Sequence, residues 1–433
     1  MNPKSKAKCL SRRTFLKIIP GVSATALILP NTVLSLNGST SPNNKINFGI
    51  IGFGNRAKYI LPNFLGIDDL RIVAVSDPRQ DRLADGKQSI DAFYRNKDCR
   101  IYKDFRELLD QQDIDAVYIA TGNRWHGLAS IYAARAGKDI YSEKPVTLTI
   151  KEGRELVNTC KRFGTVYQAG TQRRSTGSYR FAVQMIREGK LGNLKTVEMQ
   201  VWTGPAIPHD KPAPVPQGWD YDLWLGQVPW RPFVPARVFN WQYFWDTAEG
   251  IMTDMGCHYT DLMQFALNTD HTGPVEFEAT AEFPDPKQFM SDTPITAQAV
   301  CKYANGVQGV MYQRKGFTDR YIKFICDEGW IQIDDETDKI SAEPASILKL
   351  YNTTGQGWSD AGAHIKDLIN CIRNRTLTIC HPEAAHRAMS ICQAWTICLR
   401  TGQKLYWDPV KEKFDSPEAN RLLWREPRAP WRI

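Results

Sequence analysis

The sequence predicts an α/β chain of two domains: a doubly wound parallel sheet, then an α/β domain with a large, mostly antiparallel open sheet. Three observations predict it. Between residues 46 and 168, short apolar runs alternate with helical stretches, the pattern of βα units whose right-handed crossovers bring all strand C-termini to one edge. The first run passes directly into Gly52-Phe53-Gly54-Asn55-Arg56-Ala57, a G-x-G-x-x-A turn that opens a helix. Beyond about residue 170 the runs lengthen and alternate apolar with polar, as half-buried antiparallel strands do.

Taken in order, residues 1–35 carry Arg12-Arg13 and Phe15-Leu16-Lys17, then a moderately apolar stretch and a polar exit. This layout resembles the twin-arginine export signal of bacteria, so a periplasmic location is expected. The apolar stretch is too short to span a bilayer, and no integral span is expected in the mature chain. Residues 36–44 form a Ser/Asn/Gly linker. The first domain, 45–168, is expected to hold strands over 46–51, 70–75, 116–120, 139–141 and 165–168, with helices over 55–64, 105–111, 126–136 and 152–163. The second, 169–407, is expected to hold a helix over 180–188 and strands over 194–202, 276–283, 296–303 and 307–314, then helices over 364–375 and 382–401. The tail, 408–433, is rich in Trp, Pro and Arg and is expected to wrap the surface.

Composition agrees with two cores: 433 residues, 42% hydrophobic and 24% charged. The net charge of +8 is spread along the chain without a basic block, which argues against a nucleic-acid partner. The cysteines lack any C-x-x-C pair and sit mostly in apolar contexts, so buried free thiols are expected rather than a disulfide framework.

In the glycine turn, Gly52 allows the bend, Gly54 lets backbone approach a pyrophosphate, and Ala57 is small enough for the helix to pack on the strand. The helix N-terminus then favours an anion. This motif alone is weak evidence. It gains weight because the next strand ends in Asp77, where an acidic side chain accepts both ribose hydroxyls and repels a 2′-phosphate. NAD is therefore expected over NADP, with Arg79 nearby softening the preference. Phe53, Asn55 and Arg56 complete the loop. Residues 120–126, A-T-G-N-R-W-H, leave an apolar strand on the same edge, making Thr121, Asn123, Trp125 and His126 candidate cofactor contacts. The alternative for His126 is a helix-start role.

Two further motifs follow, Glu143-Lys144-Pro145 and Asp254-Met255-Gly256-Cys257-His258. Together the four motifs resemble the Gfo/Idh/MocA family of sugar oxidoreductases, over nearly the whole chain after residue 45 and including H-I-K-D-L-I-N-C-I-R from His364. One departure is Gly122, where the family usually has proline. The resemblance implies a Rossmann NAD-binding domain, with Glu143 beside the cofactor and Lys144 touching both the substrate hydroxyl and the nicotinamide side. It also makes the Lys144–Pro145 bond a candidate cis peptide. His258 would accept the hydroxyl proton and Asp254 would bind a substrate hydroxyl, in a homodimer or homotetramer.

These roles make physical sense. A cation beside the hydroxyl stabilises developing alkoxide charge, and an imidazole suits proton acceptance near neutrality. Asp254 and His258, four apart, are expected on one helix face, with Asp261 on the same side in support. A helix cap by Asp254, or a metal held by Asp254, His258 and Asp261, is the alternative. Hydride transfer needs no metal, and none is expected.

Gln172, Arg173 and Arg174 follow a strand end. Gln172 is a candidate cofactor contact and the two arginines are candidate substrate contacts, with a structural ion-pair role as the alternative. Residues 219–245 are dense in aromatics, which stack on sugar rings. Trp241 and Tyr243 are the candidates there, although packing of the loop by its own aromatics accounts for about half of them. The expected activity is hydride transfer between a sugar or glycoside hydroxyl and tightly bound NAD. The rivals are a glycoside hydrolase working by transient oxidation, elimination and re-reduction, and a non-catalytic sugar sensor.

Overall fold

The computed structural model describes residues 44–317, 319–351 and 361–433. The export-signal reading of 1–35, and the linker up to residue 43, lie outside the described residues. Lys45–Ile433 form one compact unit.

The apolar runs become strands buried on both faces, as parallel sheets require: Val117, Ile119 and Ile140 are fully covered. The elements are β1 (Ile46–Ile51), α1 (Asn55–Leu65), β2 (Leu70–Ser76), α2 (Gln80–Tyr94), β3 (Arg100–Tyr102), α3 (Phe105–Leu109), β4 (Ala116–Ile119), α4 (Asn123–Arg135), β5 (Asp139–Ser142), α5 (Ile150–Phe163) and β6 (Tyr167–Ala169). The six strands run in the order β3-β2-β1-β4-β5-β6, every pairing parallel. The order reverses between β1 and β4, and the crevice outside their C-termini is where such sheets bind ligands. The glycine turn after β1 and the Thr121 segment after β4 both open there. Helix α2 and strand β3 fall where no element was expected. Of the fifteen residues of α2, only Leu83, Gly86 and Ile90 are buried, too few to mark a helical stripe.

The second part contributes α6 (Gly177–Arg187), β7 (Leu194–Val201), α7 (Tyr221–Leu225), α8 (Pro235–Phe239), α9 (Ile251–Asp254), α10 (Gly256–Leu267), β8 (Glu276–Glu282), β9 (Thr296–Lys302), β10 (Gln308–Gln313), β11 (Tyr321–Cys326), β12 (Gly329–Asp334), β13 (Ile340–Glu343), α11 (Ala361–Asn374), α12 (Pro382–Thr401), β14 (Leu405–Asp408), β15 (Lys413–Phe414) and α13 (Pro417–Arg421). Nine strands form an open sheet in the order β13-β12-β11-β7-β10-β9-β8-β14-β15. Only β7 and β10 pair in parallel; the other ladders are antiparallel. Along β11 burial alternates strictly, with Ile322, Phe324 and Cys326 facing the core. Trp395 of α12 and Tyr259 of α10 fill the same core.

Two segments cross the boundaries read from sequence. Helix α11 packs on the first sheet, where Ile365, Leu368 and Ile369 share a core with Phe48, Ile60 and Phe64. The C-terminal tail does not merely wrap the surface. Trp431 is 4% exposed and sits edge-on to Trp125, with ring centroids 4.7 Å apart, and against Phe105 at 6.2 Å. An indole removes enough apolar area from water to draw a chain end into a core. The nine described cysteines are free and buried. Among the described residues, no helix is long and apolar enough to cross a membrane.

Candidate active site

The nucleotide side is built at the end of β1. Gly52 has φ +86°, and a Cβ there would lie 2.8 Å from Thr121 Cγ2 and 2.9 Å from the Ala120 backbone, so only glycine fits between the two crossing loops. At Gly54 a Cβ would meet nothing within 4 Å, because that position faces open cavity. Gly54 caps α1 without a side-chain bond and no acidic residue occupies the first turn, which leaves the helix N-terminus free for an anion. Asp77 accepts hydrogen bonds from the Phe53 N–H at 2.8 Å and the Arg79 N–H at 2.9 Å. Burial pushes its carboxyl above the usual range, against the opposing pull of those bonds.

A cavity of about 450 Å³ opens between these groups and residues 219–242. The aromatic segment, expected beside the sugar, forms its outer wall. Trp219 pairs with Arg79 as an antiparallel bridge, and the Arg79 guanidinium lies 3.9 Å from the indole centroid. Lys103 ties down the neighbouring Asp220 at 2.9 Å. Trp125 Nε1 donates to the Leu223 carbonyl at 3.2 Å. Trp241, the candidate sugar contact, is among the residues that line this cavity. Other rings of the segment pack on one another, as Tyr221 does on Phe233 at 5.3 Å. The tail holds this wall in place: Arg428 donates to the carbonyls of Gly226 and Val228 and to the Asp222 carboxylate.

The chemical side centres on Lys144, after β5, with the Lys144–Pro145 bond cis. Its Nζ donates to the Asp254 carbonyl at 2.7 Å and to Asp254 Oδ1 at 3.0 Å. The expected continuous helix through Asp254 and His258 is interrupted: α9 ends at Asp254, Met255 intervenes and α10 starts at Gly256. The break lets the Asp254 carbonyl turn to Lys144 instead of continuing a helical ladder. His258 is 5% exposed and its Nδ1 has no hydrogen-bond partner. Burial, with the cations of Arg173, Lys144 and Arg56 nearby, drives its pKa well below the ordinary value, so the ring is a neutral base. Tyr243 feels the Asp254 charge after burial, which places it on this side.

Behind Lys144, Glu143 is buried. Its Oε1 lies 2.9 Å from Arg56 Nε, in an ion pair whose N–H points off the line, and accepts from the Tyr118 hydroxyl at 3.2 Å. Gln172 donates to the Tyr141 hydroxyl at 2.7 Å. His126 bridges the two loops, its ring nitrogens 2.7 Å from the Pro145 carbonyl and 3.1 Å from that of Thr121. It shapes the crevice rather than lining it.

Three expectations are corrected. Arg174 is wholly buried and clamps Asp261 at 2.7 Å and Asp270 at 2.7 Å, so it cannot touch a substrate. Asp261 is accordingly committed to Arg174 and does not support His258. Arg173 forms a bidentate pair with Asp335, at 2.6 and 2.7 Å, touches Met255 Sδ at 3.9 Å, and lowers the His258 pKa through its charge. Sequence reasoning missed Arg124, whose guanidinium stacks at 3.8 Å on Trp224.

The cleft's own groups fit a dinucleotide. Arg124, which lines the cavity, has a buried Nη1 without a partner, a costly state that a bound anion relieves. Gly54 supplies a cradle that a side chain would fill, and Asp77 closes the second strand. Comparison with known proteins agrees. A family model described as "Oxidoreductase family, NAD-binding Rossmann fold" matches residues 46–171, and one described as "Oxidoreductase family, C-terminal alpha/beta domain" matches 196–433. The chain belongs to the Gfo/Idh/MocA oxidoreductase family.

Individual relatives are distant. A 1,5-anhydro-D-fructose reductase of Ensifer adhaerens is 27% identical over 175 residues, 40% of this chain and 44% of that protein. A glycosyl hydrolase family 109 protein of Saccharopolyspora erythraea is 30% identical over 176 residues, 37% and 38% of the two chains. The match thus spans about two fifths of these curated relatives. The WlbA dehydrogenase from Bordetella pertussis, solved with NADH and UDP-GlcNAcA, superposes with a TM-score of 0.65 at 17% identity, covering 84% of this chain and 99% of that one.

The lowered His258 pKa keeps the ring neutral, hence able to accept a proton, through pH values where a solvated histidine is already charged. With His258 as the proton acceptor, activity would be lost only as pH falls through the lowered value. The acidic limb of kcat/KM is therefore expected below about 6.5. A limb at or above that value shows that His258 is not the titrating base.

Proposed function

We propose that the chain is an NAD-dependent oxidoreductase that moves a hydride between a sugar or glycoside hydroxyl and tightly held NAD. The observation that carries this reading is Lys144 Nζ, fixed by both the carbonyl and the carboxylate of Asp254 beside a buried, neutral His258. Bound NAD supplies the hydride acceptor. Lys144 polarises the carbinol oxygen and stabilises the alkoxide charge that develops as the hydroxyl proton is removed, charge that then drives the hydride to the acceptor as the carbonyl forms. His258 takes the hydroxyl proton. Asp254 orients Lys144 and accepts from a substrate hydroxyl. The Trp219–Trp241 wall keeps water from the nucleotide and slows its departure.

The export reading belongs to this proposal. A chain sent to the periplasm by its Arg12-Arg13 segment works where free NAD is scarce, which makes cofactor retention necessary. The open nine-stranded sheet is the proposed face of a homodimer or homotetramer.

NAD is proposed over NADP because the Asp77 carboxyl stands at the end of β2, where a 2′-phosphate would meet it. Replacing it, as Asp77→Ser, is expected to shift the NADP-to-NAD affinity ratio by about 10-fold or more towards NADP, since one charge–charge repulsion is removed and a hydroxyl retained. Isothermal titration with both nucleotides checks this, and an unchanged ratio removes Asp77 as the determinant.

A substrate perdeuterated on its ring carbons tests the reaction. Deuterium recovered on the nicotinamide supports oxidation of a carbinol; recovery of none after product has formed contradicts it. The relatives named as glycosyl hydrolases favour one second reading, hydrolysis through transient oxidation. Release of aglycone from a nitrophenyl glycoside without net reduced cofactor would establish that reading.

A further inference from the structure

Arg124 is 2% exposed, yet no carboxylate pairs with it among the described residues. Its Nε donates to the Trp224 carbonyl at 2.8 Å, and its Nη1 is buried without a partner. The planar group lies 3.8 Å from the Trp224 ring centroid and 5.8 Å from that of Trp241. The carboxylate with most influence on it, Asp246, is already shared by Arg231 at 2.9 Å and Arg237 at 2.6 Å. Burial lowers the Arg124 pKa to about 9, the mark of a cation without its counter-charge. A buried, uncompensated guanidinium is among the costliest groups a fold can carry.

Its place suggests the missing anion. Arg124 lines the same cavity as Gly54 and Asn55 at the uncapped N-terminus of α1. A Cβ on Gly122 would come within 2.5 Å of Arg124 Nη1. Gly122 has φ −78° and ψ 154°, angles that proline adopts readily, so the backbone does not require glycine there. The guanidinium does. The departure from the family's usual proline at 122 and the presence of Arg124 are therefore one structural feature.

We propose that Arg124 is a second anchor for the cofactor's pyrophosphate, its Nη1 pairing with a phosphate oxygen in the cavity that the glycine turn also lines, with Gly122 kept bare to make room. Because the same guanidinium is stacked on Trp224 and bonded to its carbonyl, phosphate binding and the seating of the aromatic wall are coupled. A nucleotide that fills the cavity supplies the counter-charge that Arg124 lacks. This inference rests on the dinucleotide reading of the cavity.

The test uses purified chain stripped of nucleotide, titrated calorimetrically with NAD, ADP and adenosine. Removing a charge-assisted bond by Arg124→Met is expected to weaken NAD and ADP by roughly 10- to 100-fold and leave adenosine within about 2-fold. Gly122→Ala keeps the arginine but pushes its flexible end aside, and is expected to show the same pattern with an unchanged melting temperature. Arg124→Lys, a point charge without the fork, is expected to fall between. The melting temperature of nucleotide-free Arg124→Met should match or exceed that of the parent, because a buried charge has gone. Unchanged ADP affinity in Arg124→Met would overturn the proposal, as would equal losses for ADP and adenosine with a lowered melting temperature, the signature of a framework residue. Failure of the parent chain to bind ADP at all would instead remove the dinucleotide reading beneath it.

Discussion

Replacing Lys144 by methionine is expected to lower the rate of hydride transfer by about 10²- to 10³-fold while NAD affinity changes little. Methionine keeps most of the length and apolar stem, so the loss isolates the charge. The ammonium is held by two oxygens of Asp254, and only 18% of its side chain is exposed. It is thus already aimed when substrate arrives, and pre-aimed charge is what stabilises an alkoxide without reorganisation. Single-turnover formation of reduced nicotinamide reads the rate, and nucleotide titration reads the binding. A rate loss below about 10-fold would mean that the charge lies away from the developing alkoxide. The expected split between rate and binding also separates Lys144 from Arg124, whose substitution weakens the nucleotide.

The second large effect concerns stability. Arg174→Met is expected to cost about 3–5 kcal/mol, because it leaves Asp261 buried and uncompensated. Both side chains of that pair are fully enclosed, and Asp270 holds the other guanidinium nitrogen. Burial already pushes the Asp261 carboxyl upward, and Arg174 is what opposes that shift. Urea unfolding should show the loss as a lowered midpoint. The double variant Arg174→Met/Asp261→Asn should recover much of it, since neither charge then remains. No recovery would place the cost in packing rather than in the unpaired charge.

How far the sequence reveals this molecule depends on how local each signal is. The glycine turn, Asp77 and the E-K-P segment are short motifs whose meaning lies in neighbours along the chain, and they were legible residue by residue. Arg173 and Arg174 were not. Their carboxylates, Asp335 and Asp270, are 162 and 96 positions away, and nothing local tells an ion-pair arginine from a substrate-binding one. The same holds for the aromatic segment. Its composition marks a wall but not where the wall stands, and the pairing of Trp219 with Arg79 places it at the end of β2. The break at Met255 was hidden because the spacing of Asp254 and His258 suits an unbroken helix. In β11 burial alternates, but Ile325 puts an apolar side chain on the outward face and hides the period in the sequence, whereas β3 is too short to announce itself. Arg124 had one trace in the sequence, the glycine that replaces proline two residues earlier. Only the space between them gives that glycine its reason.

The most direct test of the account takes the chain purified without added cofactor. The protein is denatured to quantify released NAD(H), and intact protein is followed at the reduced-nicotinamide absorbance band while a panel of sugars and glycosides is added. The account predicts close to one nucleotide per chain and reduction that depends on the sugar. Protein that carries no nucleotide, and shows no sugar-dependent reduction when NAD is supplied, would contradict it.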